Sequence, residues 1–227
     1  MTRITCAIDG GPSVELAPRR LVIAGWAGRD RDAIEHHIAE LAAIGVKRPS
    51  SVPCFYEVSA SLLTTDARIE VIGPHSSGEV EVVLLRDEQH GLLVGIGSDH
   101  TDRKVESYDV AVSKQICAKP LGDTWWRFDD VAAHWDALIT RSWRIDADGE
   151  RVRYQEGSLA HLLLPQRLTG LAFGDAGLPA GTVLFCGTQP VIGALCPSQA
   201  FEIELYDPVL GRSLRHRYAV DALAHVE

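Results

Sequence analysis

Apolar residues recur along the chain at two spacings, and each spacing predicts a different element. Between Asp30 and Ile44, the apolar residues Ile34, Ile38 and Leu41 recur at helical spacing and predict one helix. Short runs rich in apolar and β-branched residues, bounded by turn residues, predict strands instead. The predicted strands are Leu21–Ala24, Arg68–Ile72, Glu79–Leu85, Gly91–Ile96, Thr182–Cys186, Phe201–Tyr206 and Ser213–Tyr218.

Two more helices and one hairpin complete the predicted elements. Small polar and acidic residues precede Thr101–Ser113 and predict a helix there, and Phe128–Leu138 is predicted to form another helix. An Asp-Gly pair within Asp146–Glu150 predicts a hairpin. Most connections are too short for the helical crossovers of parallel sheets. The pattern therefore predicts a strand-dominated α+β fold, largely antiparallel or rolled, with no linker dividing residues 1–227 into domains.

One predicted strand begins with two carboxylates on the same face. Side chains at i and i+2 of a strand point the same way, so Glu79 and Glu81 project together and need a compensating charge. Asp99 follows the next strand, where we expect its side chain to be exposed to a cleft. Oxygen ligands of this kind suit Mg²⁺, Mn²⁺ or Ca²⁺. The spacing alone leaves a second interpretation open, a solvated strand end with Asp99 as a helix cap.

Three other segments carry candidate chemistry. His37 and Glu40 share one face of the predicted helix, as a general-base pair requires, although an ordinary polar helix face fits the pattern too. Lys119 is a candidate for neutralising an anionic substrate, against the alternative of a solvated surface lysine. The turn at Gly187 and Thr188 can offer N–H and hydroxyl groups to a carboxylate, or it is only a turn.

Composition and charge narrow the class of protein. The chain is 46% hydrophobic and 23% charged, as in an ordinary soluble globular protein. Its net charge of -9 argues against a partner that is nucleic acid or an anionic membrane surface. We expect neither a signal peptide nor a membrane-spanning helix, which needs roughly 20 apolar residues. The five cysteines include no CxxC pair and predict reduced thiols in a cytoplasmic protein.

Four blocks, in this order, resemble the catalytic domain of the fumarylacetoacetate hydrolase superfamily. The resemblance covers about residues 20–218 with the spacing of the blocks kept. The blocks are LVIAGWAGRDRDAIEHHIAEL with RPSSVPCFY, then SGEVEVVLL with SDHTDR, then AKPLGDTWWRF, and LPAGTVLFCGTQPV after the predicted hairpin.

The resemblance implies a fold and a set of site residues. The implied fold is a mixed β-roll with a few short helices, assembled as a homodimer. The implied ligands of Mg²⁺, or of Mn²⁺ or Ca²⁺, are Glu79, Glu81 and Asp99. The implied catalytic residues are His37, Glu40 and Lys119, and the residues implied to bind the substrate are Arg103, Gly187 and Thr188.

The resemblance also implies an activity. The leading hypothesis is a hydrolase that cleaves a C–C bond in a 1,3-dicarbonyl or acylpyruvate-like 2-oxo acid through a metal-stabilised enolate, with water activated by His37 and Glu40. The alternatives are a decarboxylase, an isomerase or a (de)hydratase on the same metal site, and a non-catalytic binding protein. Departures at Trp26-Ala27, Lys104 and Trp125-Trp126 are expected near the substrate, and they indicate a divergent subfamily.

Overall fold

The computed structural model describes residues 2–43 and 48–224, with the side chains of Ala33, His37 and 40–43 left out of the description. The described chain is dominated by strands. In chain order they are β1 (Ile4–Ile8), β2 (Ser13–Leu16), β3 (Arg20–Gly25), β4 (Cys54–Val58), β5 (Leu63–Thr64), β6 (Arg68–Ile72), β7 (Ser76–Ser77), β8 (Val80–Asp87), β9 (Gly91–Ser98), β10 (Thr101–Asp102), β11 (Lys119–Pro120), β12 (Thr124–Arg127), β13 (Ile139–Ile145), β14 (Arg151–Ser158), β15 (Thr182–Thr188), β16 (Ala200–Asp207) and β17 (Arg212–Leu223).

The helices are short, and several are single turns. The α-helices are α1 (Arg31–Ala43), α2 (Arg103–Glu106), α3 (Val110–Gln115), α4 (Phe128–Val131) and α5 (Pro165–Phe173). Turns of 3₁₀ helix lie at Ala60–Leu62, Ala132–Ala137, Leu159–His161 and Gly174–Ala176. None of the helices in the described part of the chain has the length and apolar character needed to cross a membrane.

Two larger sheets organise the strands. The first has eight strands in the order β2-β1-β12-β9-β8-β15-β3-β4, and the second has five in the order β14-β13-β16-β17-β6. Most neighbouring strands are antiparallel, while β1–β12, β3–β15, β5–β11 and β6–β17 pair in parallel. The strand-dominated α+β prediction with a mixed, rolled sheet is therefore confirmed.

Strand β8 crosses the interior with both faces covered. Val82 and Leu84 pack in one core cluster, whereas Val83 and Leu85 pack in another on the opposite face. This alternation follows from the two-residue period of a strand, and it explains why the predicted strand is apolar on both sides. Because the two faces of β8 pack in different core clusters, a shift of one residue would misplace every side chain. The register of β8, and with it the position of its polar first residues, is therefore fixed.

The predicted helix Thr101–Ser113 is wrong as one helix. The chain forms the short strand β10 and then two helices, α2 and α3. Each helix begins at an aspartate in extended backbone, Asp102 and Asp109, whose side chain accepts a hydrogen bond from an N–H in the first turn. Because Asp109 offers its own cap, the helix restarts there and does not run through.

Two further expectations need correction around β12. The predicted helix Phe128–Leu138 is one α-helical turn followed by a 3₁₀ segment, with non-helical backbone at His134. Trp125 and Trp126 are buried in the two core clusters on opposite faces of β12, where large aromatic side chains stabilise the sheet. They pack the core on both sides of the sheet, a role that the sequence patterns did not predict. The amino-terminal hairpin of β1 and β2 is an addition that the sequence patterns did not predict.

Candidate metal centre

The antiparallel pairing of β8 with β9 brings the three predicted acidic ligands together. Val80 pairs with Ser98, and the Asp99 N–H donates to the Glu79 carbonyl over 2.9 Å, so the start of β8 lies beside the end of β9. One carboxylate oxygen from each of Glu79, Glu81 and Asp99 lies within 4.8 Å of the other two. Asp99 is 0% exposed, which corrects its expected exposure to a cleft.

Asp99 lies between two lysines. The Lys114 Nζ donates to Asp99 Oδ2, and the Lys119 Nζ lies 3.1 Å from Oδ1 while donating to the His100 carbonyl over 2.6 Å. Burial raises the pKa of Asp99, but the two ammonium groups outweigh burial and lower that pKa to about 2. Within the described chain, Asp99 Oδ1 forms an ion pair with Lys119 but accepts no hydrogen bond of good geometry.

Glu81 is less well compensated. It is 2% exposed, and its Oε2 accepts a 2.7 Å hydrogen bond from the Gly187 N–H. Burial raises the pKa of Glu81 well above its usual range, and the neighbouring carboxylates of Asp99 and Glu79 raise it further. A buried carboxylate that is surrounded by more negative than positive charge is stabilised when a proton or a cation binds at its oxygens.

Glu79 is held by Arg103. The Arg103 Nη1 donates to Glu79 Oε1 over 2.9 Å and also to Glu106, while its Nε donates to Ser77 Oγ over 2.7 Å. Lys114 Nζ lies 3.7 Å from the other Glu79 oxygen. The remaining nitrogen of Arg103, Nη2, is buried and has no hydrogen-bond partner among the described residues.

The end of β15 is linked to β8 by side-chain hydrogen bonds. The Thr188 hydroxyl donates to the Val80 carbonyl over 2.9 Å and accepts a 2.8 Å hydrogen bond from Gln155 Nε2. Gln155 Oε1 accepts from the Val80 N–H over 2.9 Å, so this fully buried amide links β14 to both elements. Gly187 and Thr188 therefore contact Glu81 and Val80 of β8 directly.

A buried polar network lies behind the triad. His100 bonds Tyr218 through Nδ1 at 3.1 Å and Ser76 through Nε2 at 2.9 Å. The Tyr218 hydroxyl is 2.8 Å from Ser98 Oγ, which in turn accepts from the Glu79 N–H at 3.2 Å. Burial lowers the pKa of His100 to about 3, so the ring is neutral and acts as a hydrogen-bonding strut.

Sequence reasoning missed Lys114, Gln155 and His100 as members of this site. Lys114 lies on α3 and is 5% exposed, although a lysine on a short polar helix usually reaches solvent. Its only sequence signal is its place shortly before Lys119. Gln155 is the last residue of a predicted hairpin strand, and His100 is next to Asp99 in the sequence. Proximity in sequence to a predicted element or ligand was therefore the signal for both.

The donor set fits a hard divalent cation. Three carboxylate oxygens converge, and the Glu81 carboxyl has more negative than positive charge around it. Among the described residues, Asp99 Oδ1 has an ion pair with Lys119 but no hydrogen bond of good geometry. Oxygen ligands from carboxylates are those that Mg²⁺, Mn²⁺ and Ca²⁺ prefer, whereas zinc sites use nitrogen and sulfur. The predicted ligand set is thus assembled by the fold.

A family model described as "Protein of unknown function (DUF2848)" matches residues 24–218. The chain belongs to this family. Within DUF2848, the matched region spans the acidic triad and both lysines beside it. Among curated proteins, no significant match to the chain was found.

Solved structures share the fold of this DUF2848 protein. A structure of 2-keto-3-deoxy-D-arabinonate dehydratase complexed with magnesium and 2,5-dioxopentanoate matches with a TM-score of 0.67 at 14% identity, covering 92% of this chain and 75% of that one. Cg1458 matches with a TM-score of 0.63 at 16% identity, covering 93% and 80%. Yeast ynq8, a fumarylacetoacetate hydrolase family protein, matches with a TM-score of 0.64 at 15% identity, covering 92% and 95%. The fold is that of the fumarylacetoacetate hydrolase family, as the sequence blocks predict.

The remaining predicted residues of this DUF2848 protein lie in different parts of the structure. The backbone of His37 and Glu40 belongs to α1, but their side chains lie outside the described residues. Lys104 is exposed on α2. At the departure Trp26-Ala27, Trp26 has a positive φ of 58°, and Ala27 packs against Gly187. This departure adjoins the triad, while that at Trp125-Trp126 belongs to the core.

Proposed function

We propose that the chain is an enzyme that uses a divalent cation, held by Glu79, Glu81 and Asp99, to act on a small 2-oxo acid. The observation that carries this proposal is the convergence of one carboxylate oxygen from each of the three residues to within 4.8 Å of the other two. The fold supports it, because a magnesium-complexed dehydratase with a keto product shares that fold. A non-catalytic binding protein has less support, because it gives no reason to keep this buried charge.

The cation would supply Lewis acidity toward the keto and carboxylate oxygens of the substrate, with Mg²⁺ as the first choice and Mn²⁺ or Ca²⁺ as alternatives. The chain supplies the rest of the electrostatics. Lys119 and Lys114 place positive charge on the Asp99 side of the triad. We assign Lys119 the catalytic role of stabilising negative charge that develops on the substrate.

Three residues are proposed to orient the substrate. Arg103 has the strongest support, because its buried Nη2 has no partner in the described part of the chain and can donate to a carboxylate. The Gly187 N–H and the Thr188 hydroxyl already donate to Glu81 and to the Val80 carbonyl. The Thr188 oxygen, whose hydrogen is already donated, could therefore accept only from a hydroxyl group of the substrate, while Gly187 acts through Glu81.

The reaction we favour is hydrolytic cleavage of a C–C bond in an acylpyruvate-like 2-oxo acid. Its basis is the His37 and Glu40 pair on α1, which at i and i+3 can orient an imidazole to take a proton from water. The second candidate is dehydration of a 2-oxo acid. The specific observation that favours it is the shared fold with a 2-keto-3-deoxyarabinonate dehydratase. Decarboxylation and isomerisation fit the same site.

Product analysis distinguishes these reactions. Acylpyruvates, oxaloacetate and 3-deoxy 2-oxo sugar acids are incubated with the protein, with and without Mg²⁺ or Mn²⁺, and followed by NMR. We expect turnover that requires the cation, that is lost in Glu81→Gln, and that survives in Glu70→Gln, an exposed glutamate on β6. Turnover without any cation contradicts the proposal. Full turnover in His37→Ala would replace hydrolysis by one of the other reactions.

The assembly and the compartment are proposals from the family resemblance. We propose a homodimer in the cytoplasm whose partners are small keto-carboxylates, with neither nucleic acid nor membrane. The cysteines of the described chain are free thiols, four of them buried, which agrees with a reducing compartment. Light scattering coupled to size exclusion tests the dimer directly.

A further inference from the structure

A chain of buried hydroxyl groups runs from the five-stranded sheet to the backbone of a metal ligand. Tyr218 on β17 is fully buried, and its hydroxyl oxygen lies 2.8 Å from Ser98 Oγ at the end of β9. Ser98 Oγ in turn accepts a 3.2 Å hydrogen bond from the Glu79 N–H. The Tyr218 hydroxyl is therefore one side chain away from the backbone that carries Glu79, although β17 and β8 belong to different sheets.

Glycine at position 78 makes room for this hydroxyl. A Cβ on Gly78 would lie 2.5 Å from the Tyr218 hydroxyl oxygen, a distance that real Cβ atoms essentially never show, and 3.0 Å from Ser98 Oγ. Gly78 directly precedes Glu79 in the chain. The backbone that leads into this metal ligand therefore packs against the Tyr218 hydroxyl with no side chain between them.

The Tyr218 ring has little freedom to move its hydroxyl. It stacks on Phe201 of β16 at a centroid distance of 5.9 Å and on His216 at 6.1 Å. Phe201 is also the residue that pairs with Tyr218 across the two strands. Because buried side chains are close-packed, the position of the hydroxyl is set by β16 and β17.

His100 holds the same hydroxyl from the other side. Its Nδ1 lies 3.1 Å from the Tyr218 hydroxyl oxygen, and its Nε2 lies 2.9 Å from Ser76 Oγ on β7. The neutral ring offers one donor and one acceptor, and hydroxyl groups can take either role, so both links form whichever ring nitrogen carries the proton. The Tyr218 hydroxyl is thus fixed between His100 and Ser98.

We propose that Tyr218 is a positioning residue of the cation site, whose hydroxyl fixes through Ser98 where the backbone places Glu79. The inference rests on the proposed function and adds to its site a residue from the second sheet. Side chains that hold metal ligands from behind commonly change metal affinity about 10–100-fold when they are replaced. Loss of this one hydroxyl should therefore weaken cation binding while the core around the ring stays filled.

The test compares two tyrosines of one core cluster. Tyr218→Phe breaks the chain, whereas Tyr154→Phe removes a buried hydroxyl that accepts from the Cys196 N–H and has no described bond to Glu79 or Ser98. Calorimetric titration with Mn²⁺ measures the affinity, and urea unfolding shows that each variant is folded. We expect Tyr218→Phe to bind Mn²⁺ about tenfold more weakly than the wild type, and Tyr154→Phe to keep the wild-type affinity.

A double variant shows whether Tyr218 acts through Ser98. Ser98→Ala should weaken Mn²⁺ binding about as much as Tyr218→Phe does. The two substitutions together should weaken it no further, because each one breaks the same chain. Effects on affinity that simply add would mean that the two residues act independently, and they would overturn the proposal.

The outcomes separate this role from the proposed function. If the wild type binds Mn²⁺ and Tyr218→Phe binds it equally well, Tyr218 has no positioning role while the proposed function stands. Equal weakening in Tyr218→Phe and Tyr154→Phe overturns the role too, because any lost buried hydroxyl would then suffice. If Tyr218→Phe does not fold, unchanged affinity in Ser98→Ala overturns the role, and a tenfold loss supports it. If the wild type binds no Mn²⁺, the proposed function falls, and the role falls with it.

Discussion

The backbone N–H of Gly187 donates a 2.7 Å hydrogen bond to Glu81 Oε2 and so joins the turn within the last residues of β15 to a predicted metal ligand on β8. Gly187 has a φ of +102°, a region that other residues rarely adopt. A Cβ at this position would also lie 2.8 Å from Ala27 Cβ. The turn therefore requires glycine for two independent reasons, and its geometry sets where the Glu81 carboxylate points.

Replacing Gly187 by alanine should harm stability and metal binding together. We expect Gly187→Ala to lower the free energy of unfolding by about 2 kcal/mol, the usual cost of a strained φ. The affinity for Mg²⁺ should also fall, because the N–H that orients Glu81 shifts. Urea unfolding and calorimetric titration measure the two effects. Gly170→Ala is the control, since a Cβ there has no neighbour within 4 Å and α5 should keep its stability. Wild-type behaviour of Gly187→Ala would contradict the assigned role.

Lys114 compensates the triad, and its removal should have opposite effects on the protein with and without the cation. The Lys114 Nζ donates to Asp99 and lies 3.7 Å from Glu79. Without it, the free energy of unfolding of the metal-free protein should fall by about 3–5 kcal/mol, the cost of leaving a buried charge unpaired. Mg²⁺ affinity should rise, because an ammonium group no longer competes for the same oxygens.

The Lys114 prediction is checked with Lys114→Met and a matched control. Denaturant unfolding is measured for each variant with and without saturating Mg²⁺. Lys104→Met, at an exposed lysine on α2, should match the wild type in both conditions. A Lys114→Met variant that binds Mg²⁺ more weakly than the wild type would mean that the lysine supports the cation and does not compete with it.

Cation binding should release a proton from Glu81. Burial and the neighbouring Asp99 and Glu79 raise the pKa of Glu81 in the protein without a cation, so its carboxyl holds a proton at pH values where a free glutamate is ionised. The stability that this proton confers is present at low pH and is lost as pH rises through the raised pKa. Mg²⁺ competes with the proton, and its affinity should therefore increase as pH rises.

Calorimetry in two buffers with different ionisation enthalpies counts the released proton. We expect a binding enthalpy that depends on the buffer for the wild type. Glu81→Gln should give no heat of cation binding in either buffer, whereas Glu70→Gln, at an exposed glutamate on β6, should keep the buffer dependence of the wild type. Equal enthalpies in both buffers for the wild type would show that Glu81 is already ionised.

The acidic ligands were predictable because strand geometry alone places Glu79 and Glu81 on one side, and the next strand must return beside them. The register of β8 against β9 then fixes Asp99 next to Glu79. Lys114 could not be predicted as a site residue, because no local sequence feature indicates that a lysine on a short helix is buried. Its position depends on the break between α2 and α3 and on packing against β4 that no local pattern contains.

The departures from the family pattern show the same limit. Trp125 and Trp126 looked like site residues because they follow Lys119, yet both pack in the core clusters of β12. The resemblance places Trp26 near the substrate, and the structure places it in the wall of a small cavity that Arg29, Arg31 and Arg167 also line. Position along the chain does not say which face of a strand or loop meets the site, because that depends on tertiary packing.

The central claim, that Glu79, Glu81 and Asp99 hold a divalent cation, is tested most directly by electron paramagnetic resonance of added Mn²⁺. We expect the wild type to take up one Mn²⁺ per chain, displaceable by Mg²⁺, and Glu81→Ala to lose this uptake while Glu70→Ala keeps it. Failure of the wild type to bind Mn²⁺, or equal binding by Glu81→Ala, would contradict the claim.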